Sequence, residues 1–169
     1  MGAAARAGPT VITKLVSGGQ TGADRAALEF ALARGLPHGG WCPRGRRAED
    51  GPLAARYRLR ETPTDDYAQR TEWNVRDSDG TVTFSFAPGL SGGSAFTAEC
   101  AKRLGKPWLH LTPADPEPGR TLREFVAAHG IATLNVAGPR ASEEPGLGEF
   151  VRRVLEALMD TGKRRPETE

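Results

Sequence analysis

The sequence predicts an α/β fold in which a mostly parallel sheet carries helices on both faces. Short runs of β-branched and apolar residues alternate with segments whose apolar residues recur at helical spacing. A glycine follows several of the helical segments, where a helix commonly ends in a left-handed residue. Repetition of strand, helix and glycine is typical of parallel βαβ units. We therefore predict a Rossmann-like, doubly wound fold.

The first part of the pattern is one strand and one helix, followed by a less regular region. Residues 11–16 (VITKLV) have the composition of a strand covered on both faces. Residues 23–34 carry apolar groups at helical spacing and end before Gly35. Further on we predict a loop around a short strand over 38–53. A helix is predicted over 64–77, which begins with an N-cap candidate and acidic residues.

The second part repeats the alternation of strand and helix. The predicted elements are a strand over 81–86, a helix over 95–104, a strand over 108–111, a helix over 120–129, a strand over 131–136 and a helix over 146–159.

The length of 169 residues suits one domain and is short for two. We expect a single domain over residues 11–159. The ends at 1–10 and 160–169 are rich in glycine, proline or charge and lack periodicity, so we expect both to be flexible tails.

The composition predicts a reduced, cytoplasmic protein. Its small net charge favours neither membranes nor nucleic acid as partners. The 23 Lys and Arg residues nearly balance the 21 Asp and Glu residues, a net charge of +2. Cys42 and Cys100 form no CxxC motif, and no apolar run is long enough to span a bilayer. His38, His110 and His129 form no pair at metal-ligand spacing, so we predict no zinc site.

The turn between the first strand and helix, SGGQTG at 17–22, has the residues of an anion-binding loop. Glycine lets backbone N–H groups approach an anion closely, and the dipole of the following helix adds partial positive charge. The alternative is a tight turn that only needs small residues. Asp24 suits a capping role, with a base or metal ligand as the alternative. The candidate ligand-binding residues here are Gly18, Gly19, Gln20, Thr21, Gly22 and Arg25.

A second stretch of the same chemistry, GLSGGSAFT at 89–97, also follows a predicted strand. Loops after parallel strands meet at one edge of the sheet, so the two stretches are expected to form a donor-rich pocket for a phosphate or similar oxyanion. Its candidate residues are Ser91, Gly92, Gly93 and Ser94. A third strand end, NVAGPRAS at 135–142, repeats the pattern with Arg140, although a plain loop with an N-cap explains it equally well.

Two further groups could contact a ligand at the rim. The arginine cluster at 44–47, including Arg44, could clamp oxyanions or could be a solvated loop. Trp73 beside Arg70 and Asn74 could stack on a heterocycle or pack in the core. Neither glycine-rich stretch has the Walker A form or the G-x-G-x-x-G spacing, which disfavours ATP hydrolysis and ordinary NAD binding.

Several long motifs resemble those of the molybdenum cofactor carrier proteins, a circularly permuted branch of the SLOG superfamily. They are SGGQTGADRAAL, PHGGWCPRGRRAEDG, RTEWNVRDSDGT, LSGGSA and LNVAGPR. The resemblance covers about residues 11–158. It implies a Rossmann-like fold, a homo-oligomer that is often a tetramer, and a pocket for the phosphate-bearing molybdenum cofactor (molybdopterin) or a related anion such as molybdate. It also implies molybdoenzymes as acceptors, and it carries the ligand-binding role onto 18–22 and 91–94.

Two other SLOG families offer alternatives. SGGQTGAD is similar to the SGxAxGID loop of DNA-processing A proteins, which bind single-stranded DNA, but the chain lacks an aromatic and basic stripe. LSGGSAFTAE is similar to the PGGxGTxxE signature of cytokinin-activating phosphoribohydrolases, which places Glu99 at the catalytic carboxylate. In that comparison Ser91, Ala95 and Phe96 depart from the signature.

We therefore expect a carrier without catalytic activity, because the loops offer many donors and no evident pair of nucleophile and base. A nucleoside-monophosphate N-glycosidase using Glu99 and a nucleotide-sensing module remain alternatives. A valine at Gly19 or Gly92 is expected to remove ligand binding with little loss of fold.

Overall fold

A computed structural model describes residues 12–160 of the chain. The strands in chain order are β1 (Lys14–Val16), β2 (His38–Gly39), β3 (Trp41–Cys42), β4 (Arg47–Ala48), β5 (Gly51–Pro52), β6 (Arg60–Glu61), β7 (Gly80–Phe84), β8 (Trp108–Leu111) and β9 (Thr133–Ala137). The helices are α1 (Ala23–Arg34), α2 (Tyr67–Arg76), α3 (Gly92–Arg103), α4 (Pro118–His129) and α5 (Leu147–Met159). The tail predicted over 1–10 lies outside the described residues, as does all of 160–169 except Asp160.

The central sheet contains five parallel strands in the order β2-β1-β9-β7-β8. The last strand, β9, lies between β1 and β7, with Leu134 opposite Leu15 and Val136 opposite Val82. The carboxyl ends of β1, β9 and β7 are therefore neighbours at one edge of the sheet. The predicted Rossmann-like α/β fold is confirmed.

The two faces of the sheet differ in polarity. Leu15, Val82 and Leu134 pack into the main apolar core with residues of α1, α4 and α5. Side chains alternate across a strand, so Thr81 and Asn135 point to the opposite face, where α2 packs against α3. Both are buried, and Asn135 donates a 3.2 Å hydrogen bond to the Thr81 hydroxyl. The sheet surface beneath α2 and α3 is therefore polar.

The helix predicted over 95–104 begins earlier, at Gly92. Gly92 and Gly93 therefore belong to the first turn of α3 and not to the preceding loop. Glycine disfavours helix interiors, which is why the pattern placed it outside. The helices predicted over 23–34, 120–129 and 146–159 agree with the structure to within two residues.

The region from 38 to 66 contains more structure than the single short strand that we predicted. Strands β3 and β6 pair in parallel, and β4 and β5 form an antiparallel hairpin. Each strand has two residues, which is too short to show an alternating pattern. We call this region, residues 38–66, the small lobe. The Arg46 side chain holds the small lobe together by donating to the carbonyl oxygens of four residues from Leu53 to Leu59.

No helix within residues 12–160 has the length and apolarity needed to cross a bilayer.

Candidate functional site

The loop after β1 packs closely against its neighbours. Gly19 has a φ of 79°, and a Cβ atom there would lie 2.7 Å from Leu53 Cδ1. A side chain at this position would therefore need both an unfavourable backbone conformation and a shift of the small lobe. The expectation that valine at Gly19 would spare the fold is wrong. At Gly92 the surrounding space is open, but a φ of 53° also disfavours a β-branched residue.

Gln20 and Thr21 connect the loop after β1 to other segments of the protein. Gln20 Oε1 accepts a 2.8 Å hydrogen bond from the backbone N–H of Glu49. Thr21 Oγ1 accepts a 3.0 Å bond from the N–H of Ala141 and donates to the Glu49 carboxylate. Glu49 also accepts a 3.1 Å bond from the N–H of Ser142. These polar groups thus tie the loop after β1 to the chain after β9.

Arg70 on α2 reaches under the same loop. Arg70 is only 7% exposed, and its Nη1 atom donates a 2.6 Å hydrogen bond to the carbonyl oxygen of Gly18. A Cβ atom on Gly18 would overlap the guanidinium, so this close approach requires glycine. The Nε atom is buried and has no hydrogen-bond partner among the described residues. Arg70 therefore keeps an unused N–H donor at a buried position.

Asp24 in the first turn of α1 lies close to Arg70. It is 7% exposed, and its Oδ2 atom accepts a 3.3 Å hydrogen bond from the N–H of Gln20. Burial raises the pKa of Asp24 to about 6, although the Arg70 guanidinium acts in the opposite direction. Burial also lowers the pKa of Arg70, and the charge of Asp24 partly offsets that effect. The Asp24 carboxyl group thus accepts a hydrogen bond from the loop after β1, and its pKa is raised towards neutral pH.

A cavity of about 230 Å³ lies between the loop after β1, α2, the first turn of α3 and the end of β9. Six predicted ligand-binding residues line it: Gly18, Gln20, Arg70, Asn74, Gly93 and Ser94. We call this space the first cavity. Ser91, the N-cap of α3, makes no side-chain capping bond, and the N–H groups of the first helical turn have no intrahelical partner. The positive end of a helix dipole therefore faces the same space as Arg70.

Eight predicted residues lie outside the lining of the first cavity: Gly19, Thr21, Gly22, Arg25, Arg44, Trp73, Ser91 and Gly92. Arg25 pairs with Asp50 at 2.8 Å, and Arg44 is exposed. The Trp73 ring packs edge to face against Trp41 at 4.7 Å between centroids. Glu99 is also exposed and outside the lining.

Residues from the end of β9 form a large part of the lining. Asn135, Gly138 and Arg140 belong to the third strand end. From the sequence, a plain loop with an N-cap explains that segment as well as a ligand-binding role does. Thr97 and Glu143 also line the first cavity and were not predicted as site residues. Thr97 follows Gly93 and Ser94 at helical spacing, which could have indicated it once α3 was known to begin at Gly92.

A second cavity, also of about 230 Å³, adjoins the first and shares Ser94, Pro139 and Glu143 with it. Ser85 lies in its lining and forms a 2.6 Å hydrogen bond with Nε2 of His110. Burial lowers the pKa of His110. Among residues 12–160, no group of three or more His, Cys, Asp or Glu side chains is placed to hold a metal ion.

Comparison with known proteins agrees with this architecture. A model of the circularly permutated YpsA SLOG family matches residues 15–159, which is nearly the whole described chain. The chain belongs to this SLOG family. In the SLOG-family protein described here, the loop after β1, the end of β9 and the start of α3 converge on the first cavity.

A solved structure is also similar to this SLOG-family protein. It is the crystal structure of a "Putative molybdenum carrier protein" from Syntrophus aciditrophicus, which is 44% identical, with a TM-score of 0.85. The match covers 89% of this chain and 96% of the other. No curated protein sequence matches the chain.

Proposed function

We propose that this protein is a carrier that binds a phosphate-bearing small molecule, with the molybdenum cofactor or a related oxyanion as cargo. The observation that carries the proposal is Arg70, which lines the first cavity and whose buried Nε atom has no hydrogen-bond partner among the described residues. A buried donor without an acceptor costs roughly 1–3 kcal/mol, more when charged, and a bound anion removes that cost.

The first turn of α3 supports the same conclusion. Its N–H groups and the Ser94 hydroxyl face the first cavity, and no capping side chain occupies them. A helix N-terminus favours negative charge, and N–H groups suit the tetrahedral oxygens of a phosphate. Arg70 and α3 approach from different elements, so an anion between them is contacted from two sides.

The size of the first cavity indicates which part of the cargo enters it. Its volume of about 230 Å³ is below the roughly 300–1,000 Å³ of pockets that enclose a drug-sized ligand. The anionic end of the cargo fits, and an attached ring system extends outward. The second cavity, which shares Ser94 and Pro139, is the adjoining space for that ring.

The name of the similar structure from Syntrophus aciditrophicus supports a molybdenum-related cargo. Homo-oligomerisation and transfer to molybdoenzyme acceptors belong to the same proposal, through the family resemblance.

Native mass spectrometry of freshly purified protein tests the proposal, because it reports the subunit number and the mass of any retained molecule together. We expect a retained mass that matches the cofactor or a fragment bearing its phosphate. Calorimetric titration with molybdopterin should give saturable binding that is lost in Arg70→Gln and kept in Arg76→Gln, an exposed arginine on the same helix. Equal binding by both variants would place the site elsewhere.

The N-glycosidase alternative has less support. Glu99, which that alternative uses as the acid or base, is exposed and lies outside the first cavity.

A further inference from the structure

A carboxylate in an anion site needs a physical explanation, and Asp24 is such a group. It lines the first cavity together with Arg70 and is 7% exposed. A fully deprotonated oxyanion placed there would set its lone pairs against the lone pairs of an ionised carboxylate. Both groups would then repel, and neither would gain a hydrogen bond. An oxyanion that carries a proton can donate that proton to the carboxylate instead.

We propose that Asp24 selects protonated oxyanions, so that the first cavity takes a hydrogen-bearing phosphate group in preference to sulfate or molybdate. The inference rests on the proposed function and deepens it, because it names phosphate as the part of the cargo that enters the cavity. Sulfate and molybdate carry no proton at neutral pH, whereas inorganic phosphate carries one or two.

The charged groups around Asp24 are consistent with this role. Arg70 approaches from α2 and Arg25 from the next position of α1, while the Gln20 N–H donates from the loop. On the far side of the first cavity, Arg140 and Glu143 form an ion pair at 3.5 Å and offset each other. Arg25 is paired with Asp50, so Arg70 is the cation available to the anion. Arg70 therefore supplies attraction for any oxyanion, and Asp24 supplies discrimination among them.

The ionisation of Asp24 is compatible with selection at neutral pH. With a pKa of about 6, the free carboxyl is mostly ionised at pH 7.5 and rejects anions that lack a proton. At pH 5.5 much of it is protonated and can itself donate to sulfate. A phosphate monoester has a second pKa of about 6 and is mostly a dianion without a proton at pH 7.5. Its binding beside ionised Asp24 therefore takes up a proton and is tighter at lower pH.

The test measures the affinity of purified full-length protein for phosphate, sulfate and molybdate by equilibrium dialysis at pH 7.5. We expect the parent protein to bind phosphate at least about tenfold more tightly than sulfate or molybdate. This is less than the discrimination between ligands that sites with buried polar groups can reach. Asp24→Asn, which has the same shape and no charge, should bring the three affinities within about threefold, mainly by strengthening sulfate and molybdate binding. Asp65→Asn, an exposed carboxylate outside the first cavity that pairs with Arg47, should keep the parent preference.

A second measurement needs no variant and covers the case in which Asp24→Asn fails to fold. Sulfate affinity of the parent protein should rise at least about fivefold between pH 7.5 and pH 5.5. Equal affinities for the three anions in the parent, or an unchanged preference in a folded Asp24→Asn, would overturn the selection and leave the anion site standing. Absence of binding by all three anions would overturn the proposed anion site as well.

Discussion

Nη1 of Arg70 donates a 2.6 Å hydrogen bond to the carbonyl oxygen of Gly18, and this bond fixes α2 against the loop after β1. The two residues lie 52 positions apart in the chain. The bond uses one of the guanidinium nitrogens of a side chain that lines the first cavity, and the guanidinium carbon lies 5.1 Å from the centroid of the Tyr67 ring. Structural support and ligand contact thus come from the same side chain.

Arg70→Lys is expected to lower the affinity for inorganic phosphate about tenfold or more. Lysine keeps a positive charge, but a single ammonium lacks the planar fork that serves Gly18 and an anion together. Calorimetric titration with phosphate measures the effect, and Arg76→Lys on the exposed side of α2 is the control. Parent-like affinity in Arg70→Lys would show that the fork is not needed.

Gly93→Ala is expected to stabilise the protein and weaken phosphate binding at the same time. No atom lies within 4 Å of the added Cβ, and φ at Gly93 lies outside the left-handed range. Alanine should therefore raise the free energy of unfolding by roughly 0.4–1 kcal/mol. The methyl group reduces the space beside Ser94 in the first cavity. Urea denaturation and phosphate titration measure the two effects. Gly89→Ala, which lines the second cavity and not the first, should leave the affinity for inorganic phosphate unchanged.

Gly19→Ala is expected to destabilise the fold by about 1–3 kcal/mol or more. The positive φ and the approach to Leu53 Cδ1 both contribute to this loss. Gly105→Ala is a matched control, because Gly105 has a φ of 65° with no atom within 4 Å of its Cβ. The difference between the two variants in urea denaturation measures the steric part. Equal losses would mean that the small lobe moves away freely.

Asp24 makes stability depend on pH in a direction opposite to that of acids with a lowered pKa, such as Asp50. Its folded pKa of about 6 exceeds the ordinary value of 3.8, so between these values the folded state binds more protons than the unfolded state. The free energy of unfolding contributed by Asp24 therefore falls as pH rises from about 4 to about 6, by on the order of 3 kcal/mol.

Denaturation of the parent and of Asp24→Asn across this pH range isolates the contribution. Acids with a lowered pKa, such as Asp50 beside Arg25, act in the opposite direction and cancel in the comparison. We expect Asp24→Asn to gain stability relative to the parent as pH rises. If the free energies of unfolding of the two proteins change in parallel with pH, ionisation of Asp24 does not destabilise the folded state.

Glu99→Gln is expected to leave phosphate affinity unchanged, because Glu99 is exposed on α3 and lies outside the first cavity. Incubation of the parent with AMP, GMP or cytidine monophosphate should release no free base. Release of base that depends on Glu99 would contradict the carrier function and favour the N-glycosidase.

The loop after β1 illustrates how far local patterns extend. The sequence pattern gives Gly18 and Gly19 the same role, because both are glycines between a strand and a helix. In the structure, Gly18 makes room for Arg70 and Gly19 makes room for Leu53. The two partners come from different segments, and no spacing within the loop distinguishes them.

The alternation of strands and helices, the first loop and the family motifs could be predicted from the sequence, because periodicity and turn chemistry act over a few neighbouring residues. The position of β9 between β1 and β7, and the wall of the first cavity formed by 135–140, became known only from the folded structure. It also placed both Arg70 and Asp24 at buried positions in the lining of the first cavity. Strand order and burial depend on contacts between residues far apart in the chain, and the short patterns that predict elements do not contain them.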